Sequence, residues 1–223
     1  YNFIYILYAL SLDALIVFII INSLYFNVFK FFFVKLNLLI LKKIIVKSLP
    51  VLISTISIIL YMRTDQIMIK NMLDEYNLGI YSVSVRYVEI YHFIPKIIMI
   101  SFLPILLTSR DYDKKLLRLN SLLIKLSLAL VFAIFFSSEF LIEFIFGENY
   151  SSSTITTKIL SFSIIFVFIG VINEHWYISR NLQIFYAINV FIGAIINLVL
   201  NYFLILKFGI NGAAYATILT YFI

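Results

Sequence analysis

Four ionisable residues recur along one apolar stretch. In "GIYSVSVRYVEIYHFIPKIIMISFLPILL" (79–107), Arg86, Glu89, His92 and Lys96 follow at steps of three, three and four. On a helix turning about 100° per residue they fall within an arc of roughly 120°. Facing lipid at mid-depth, each would cost about 2.5 kcal/mol or more, so this face must meet protein or water. Two readings are open: Arg86 and Glu89 lock helices together as a buried pair, or the four groups line a hydrated, net positive path through a membrane. Intramembrane ionisable groups usually mark such paths. Pro95 and Pro104 are expected to bend this helix.

The stretch "RTDQIMIK" (63–70) repeats the theme. Arg63, Gln66 and Lys70 share a helix face, while Asp65 lies about 200° from Arg63. One of Arg63 and Asp65 is therefore expected to face a polar interior while the other pairs with a neighbouring helix. Asn197 and Asn201, four apart, are read as interhelical hydrogen-bonding residues, as are Asn173 and Asn189. Asp13, Glu174 and His175 also fall in apolar stretches, and Glu139 and Glu143 belong near the end of one. The chain has no cysteine and two histidines without metal-ligand spacing, and no phosphate-binding glycine loop or Ser–His–Asp set. Neither a metal, nor a cofactor, nor an enzyme activity is expected.

Composition identifies the elements that must carry these residues. The chain is 63% hydrophobic and 13% charged, with a mean hydropathy of +1.06, where soluble domains are nearer half apolar and a quarter charged. Few Gly and Pro and continuous apolar runs exclude a barrel and imply an all-α, polytopic transmembrane bundle. Six full spans are expected at about 3–27, 47–70, 78–107, 119–146, 155–179 and 184–206, with part of a seventh from about 210. Connections are short. The net charge of +6 is explained by basic residues flanking spans and does not call for nucleic acid.

Those basic residues orient the bundle. Lys30, Lys35, Lys42 and Lys43 precede span two and Lys47 begins it; Arg110, Lys114, Lys115, Arg118 and Lys125 surround the start of span four; Arg180 joins them after span five. The opposite side holds Lys70, Lys158 and Lys207. Eleven against three makes the first side cytoplasmic. A start at Tyr1 and an end inside an apolar run lead us to expect a fragment.

The stretch "RTDQIMIKNML…YNLGIYSVSVRYVEIYHFIP" (63–95) resembles the opening of the second half of Wzx-type O-antigen and polysaccharide flippases. "FIFGENY" (144–150) and "KFGINGAAYAT" (207–217) resemble loops of the wider multidrug/oligosaccharidyl-lipid/polysaccharide exporter superfamily. The likeness runs from about Leu49 onward and is weak in 1–48. It implies a MATE-like, twelve-helix transporter of the bacterial cytoplasmic (inner) membrane, with 1–46 as the last helix of the first half plus a cytoplasmic linker. Residues 47–223 would then be the second six-helix half, its last helix truncated. The implied substrate is undecaprenyl-pyrophosphate-linked oligosaccharide, moved across membrane lipids by alternating access. For a pyrophosphate, Arg63, Arg86 and Lys96 are the candidate binding residues, arginine's forked donors being suited to phosphate. Asp65, Glu89 and His92 are candidates for balancing that charge or taking a coupling proton or sodium ion. A membrane enzyme (polymerase or acyltransferase) and a drug or cation exporter of the same superfamily are the competing readings.

Overall fold

The computed structural model describes residues 3–28 and 37–222. All regular structure among them is helical, and six helical stretches are long and apolar enough to cross a membrane. The chain divides into two compact units, Tyr1–Ile45 and Val46–Ile223. In the first, α1 (Phe3–Val28) is apolar on every side, and Asn22 turns its amide back onto the Phe18 carbonyl at 2.8 Å.

Helix α2 spans Leu38–Met72, thirty-five residues, about 52 Å and well beyond a hydrocarbon core of about 30 Å. Asn37 caps it, Oδ1 accepting from the Leu39 N–H at 3.0 Å. The expected linker over 30–43 is thus replaced from Leu38 onward by helix carrying Lys42, Lys43 and Lys47. Lysines favour helix, so their charge marks where a helix meets water, not where it ends. Lys30 and Lys35 lie outside the described residues.

The third span is broken, as its prolines imply. Asp74 caps α3 (Glu75–Glu89), accepting from the Asn77 N–H at 2.7 Å. A 3-10 turn, Ile90–His92, then leads into α4 (Phe93–Leu107). Pro95, in the first turn of α4, has no N–H for the carbonyl four residues back, so the preceding turn tightens.

Helix α5 (Tyr112–Phe146) ends at Gly147, whose φ of 92° suits glycine and whose N–H reaches the Glu143 carbonyl at 3.0 Å. The fifth span is two helices, α6 (Ser153–Ser161) and α7 (Ser163–Ser179), interrupted at Phe162. Hydroxyls there bond the preceding turn, Ser161 to the Lys158 carbonyl at 2.7 Å, a habit that bends helices. Helix α8 (Gln183–Phe208) turns at Gly209, φ 59°, into α9 (Ile210–Phe222).

The core of this unit joins α3, α5, α6, α7 and α9 around Tyr81, Ile134, Ile164, Phe168, Ala213 and Ala214, all at most 1% exposed. Small hydroxyl residues fill the helix contacts: Ser84 donates to the Ser153 carbonyl at 2.9 Å, and Thr156 to Asn211 Oδ1 at 2.7 Å. Such residues let membrane helices approach closely. Phe132, Phe136, Phe140 and Phe144, four apart on α5, are exposed as a lipid-facing stripe would be. An Arg180–Asp113 contact, 2.8 and 2.9 Å to the two carboxylate oxygens, brings the end of α7 to the start of α5. Residue 180 therefore lies at the same end of the bundle as the basic segment 110–118.

Candidate functional site: an intramembrane polar chamber

Two cavities lie between the helices of the second unit. The smaller, about 30 Å³, is lined by Asp65, Tyr81, Glu89 and His92 together with Tyr61 and Tyr221. Asp65 is 4% exposed. Its Oδ1 accepts from the Gln66 N–H at 2.7 Å, and its Oδ2 accepts from the Tyr81 hydroxyl. Two donors are what a buried carboxylate needs in order to offset lost hydration.

Arg63 and Asp65 both reach the third span. Asp65 meets Tyr81, and Arg63 Nη1 lies 3.7 Å from Glu89 Oε1. The Arg63 side chain is 54% exposed and that of Glu89 25%, so this is a loose pair. Glu89 therefore has Arg63, not Arg86, as its ion-pair partner. Arg86 stands three residues before Glu89 on its own helix, the poorer order for such a pair, and projects from a turn whose flanking residues Val85 and Tyr87 are buried.

The larger cavity, about 590 Å³, lies within the usual size range of small-molecule sites. One wall comes from the third span, through His92 and Lys96. His92 also lines the smaller cavity, and its Nε2 is buried without a hydrogen-bond partner among the described residues. Another part of the lining comes from α7 and α8: Asn173, Glu174, Tyr177, Tyr186 and Asn189. Of the three basic residues expected to meet substrate, Lys96 lines this cavity, while Arg63 and Arg86 line neither. Apart from tyrosines, the chamber's ionisable lining is thus one lysine, one histidine and one glutamate, in place of the net positive surface expected.

The wall from α7 and α8 was missed because asparagines in apolar helices ordinarily bond other helices. Asn197 and Asn201 do so here: Asn197 donates to Thr220 Oγ1 at 3.1 Å and accepts from Asn201 at 2.9 Å. Asn173 and Asn189 are exposed to the cavity instead. One signal was available. Both stand six residues from the ends of helices joined by a three-residue turn, 180–182, and so lie at the same depth.

A membrane bundle with a polar chamber fits many transporters, and a family comparison narrows the choice. Residues 3–155 match the model of a family described as "Polysaccharide biosynthesis protein". The chain belongs to that family. The match covers well over half of the chain, including residues 3–48, where the flippase likeness is weak. No curated protein and no solved structure matches. Membership, together with six spanning helices, makes this polysaccharide biosynthesis protein a multi-pass membrane protein with a role in polysaccharide biosynthesis or transport. The family match takes in α2 to α5, which carry Asp65, Glu89, His92 and Lys96, and ends at the start of α6.

Proposed function

We propose that this chain is part of a flippase that moves undecaprenyl-pyrophosphate-linked oligosaccharide across the bacterial cytoplasmic membrane by alternating access. The observation that carries this reading is the 590 Å³ chamber with Lys96 on its wall, in a chain of a polysaccharide biosynthesis family. Such a substrate brings a charged headgroup into a layer with no water to solvate it, and a lysine ammonium offsets part of that cost. The headgroup's sugars need polar walls, and the chain's outer surface offers apolar ones. The lipid tail needs no cavity, because it can stay among the bilayer chains.

In this mechanism Lys96 meets the pyrophosphate. Asp65, held by Tyr81 and Gln66, sits beside Glu89 and His92 at a junction of the second, third, fifth and last helical stretches, where gain or loss of a proton or sodium ion would change how they pack. Arg63 acts on this junction through Glu89.

The test is deletion of the gene. Lipid-linked repeat units should then accumulate on the cytoplasmic leaflet, and restoring the chain should clear them. Units that still reach the outer leaflet but stay unpolymerised would overturn the flippase reading in favour of a polymerase.

A further inference from the structure

Two parts of the large cavity's lining differ in chemistry. The third span supplies His92 and Lys96, a cation at a wall edge. The α7–α8 wall supplies two phenols, two carboxamides and a carboxylate, with no cation. Tyr177 and Tyr186 meet in a tilted contact across the helix pair, ring centroids 5.9 Å apart and planes 38° apart. Beside them on the cavity lining are Glu174 on α7, five residues from the helix end, and Asn189 on α8, six residues from the helix start. At 1.5 Å per residue, the asparagine level is roughly 9 Å inside the helix ends. None of Asn173, Glu174 and Asn189 has a side-chain hydrogen bond or ion pair among the described residues.

Unpaired amides and a carboxylate at that depth are costly unless water or a ligand meets them. Their chemistry is specific. A carboxamide offers a donor and an acceptor side by side, and a carboxylate accepts two bonds, which matches the vicinal hydroxyls of a sugar ring. Aromatic faces suit the apolar C–H face of the same ring. A phosphate finds no donor charge on this wall, and Glu174 repels it. We propose that Tyr177, Tyr186, Glu174 and Asn189 form a sugar-ring subsite, distinct from the anion-binding edge at Lys96, that reads the first sugar of the substrate. This rests on the export reading above, and deepens it by dividing the headgroup between two walls.

The sole tryptophan, Trp176, reports on the subsite, its ring centroid lying 5.3 Å from that of Tyr177. The experiment titrates the full chain in lipid nanodiscs with two probes, following Trp176 fluorescence. One probe is short-chain prenyl pyrophosphate; the other is the same lipid pyrophosphate bearing N-acetylglucosamine. The wild type should bind the sugar-bearing probe about tenfold more tightly, the yield of a hydrogen bond or two plus ring contact. Asn189→Leu and Tyr186→Leu should each bring the two affinities within about twofold while leaving the bare pyrophosphate's affinity unchanged, and Glu174→Gln should do so while binding the bare pyrophosphate no more weakly, since it removes a repelling charge. Lys96→Gln should weaken both probes alike. Thermal stability without probe identifies any variant that misfolds, and Glu174→Gln, a near-isosteric change, decides the matter if the larger ones do. Equal weakening of both probes by the subsite variants overturns the subsite. So does a wild type that binds bare pyrophosphate without preferring the sugar, an outcome that leaves the export reading standing. Failure to bind either probe overturns both.

Discussion

Asn197 offers the sharpest test of how this bundle holds its last two helical stretches together. Its side chain is fully buried, donates to Thr220 Oγ1 at 3.1 Å and accepts from Asn201 Nδ2 at 2.9 Å. Asn201 is also fully buried, and its Oδ1 already lacks a partner. Replacing Asn197 by leucine removes both bonds and strands the Asn201 amide. Interhelical bonds in membrane proteins average about 0.6 kcal/mol and reach about 1.7. Leaving a buried donor unmet adds about 1–3 kcal/mol, partly offset by leucine's apolar surface. The expected loss is about 2 kcal/mol, above the roughly 1 kcal/mol of a single bond. Reversible unfolding in mixed detergent would measure it. A double-mutant cycle with Thr220→Val should give a coupling of about 0.6–1.7 kcal/mol. The control is Val199→Leu, at a position 49% exposed on the same helix, which should change stability by no more than about 0.5 kcal/mol. A coupling indistinguishable from zero, with Asn197→Leu as stable as wild type, would refute the reasoning.

Further outcomes follow from other sites. Tyr81→Phe removes a donor from buried Asp65 and should cost about 1.5–3 kcal/mol, more than Tyr76→Phe on the exposed side of the same helix, measured by the same unfolding assay. Gly212→Ala would drive a Cβ into the Leu204 carbonyl at the α8–α9 turn, backbone that cannot swing aside, and should cost about 1–3 kcal/mol or abolish insertion, read as membrane protein level. Because Glu89 faces Arg63, any loss of export in Arg86→Ala should persist in the double change with Glu89→Ala; recovery of export per membrane protein would restore the Arg86–Glu89 pair. Cysteine labelling needs no prior removal of native thiols, and should place Lys42 and Lys114 on the cytoplasmic side with Asn77 and Asn149 opposite. Labelling of Lys114 and Asn149 from one side would break the span order.

The class of this protein is written in its sequence because the membrane imposes it residue by residue. Long apolar runs with satisfied backbone bonds can only be helices, so spans three, five and six fall within a few residues of where the apolar runs place them, while the fourth, expected from 119, begins at Tyr112 because its basic first turns are helical too. Proline is as local: Pro95 removes one N–H, and the break at Ile90–His92 follows wherever that segment packs. The start of α2 differs from the expected span for a local reason too: lysine charge marks contact with water, and lysine's helix propensity lets the helix run on through it to Leu38.

Partnership was decided by the tertiary structure alone. Helical periodicity put Arg86, Glu89, His92 and Lys96 on one face, but periodicity gives angle about one axis and says nothing of which helix stands opposite. Antiparallel packing gave Glu89 to Arg63 and Asp65 to Tyr81, while the 3-10 turn carried His92 and Lys96 to the large cavity and left Arg86 outside it. The same holds for four asparagines of identical type. Asn197 and Asn201 became a buried lock because Thr220 lies across from them, and Asn173 and Asn189 became a cavity wall because no helix does among the described residues. A side chain's type fixes what it can bond; only the fold fixes what is near enough to be bonded.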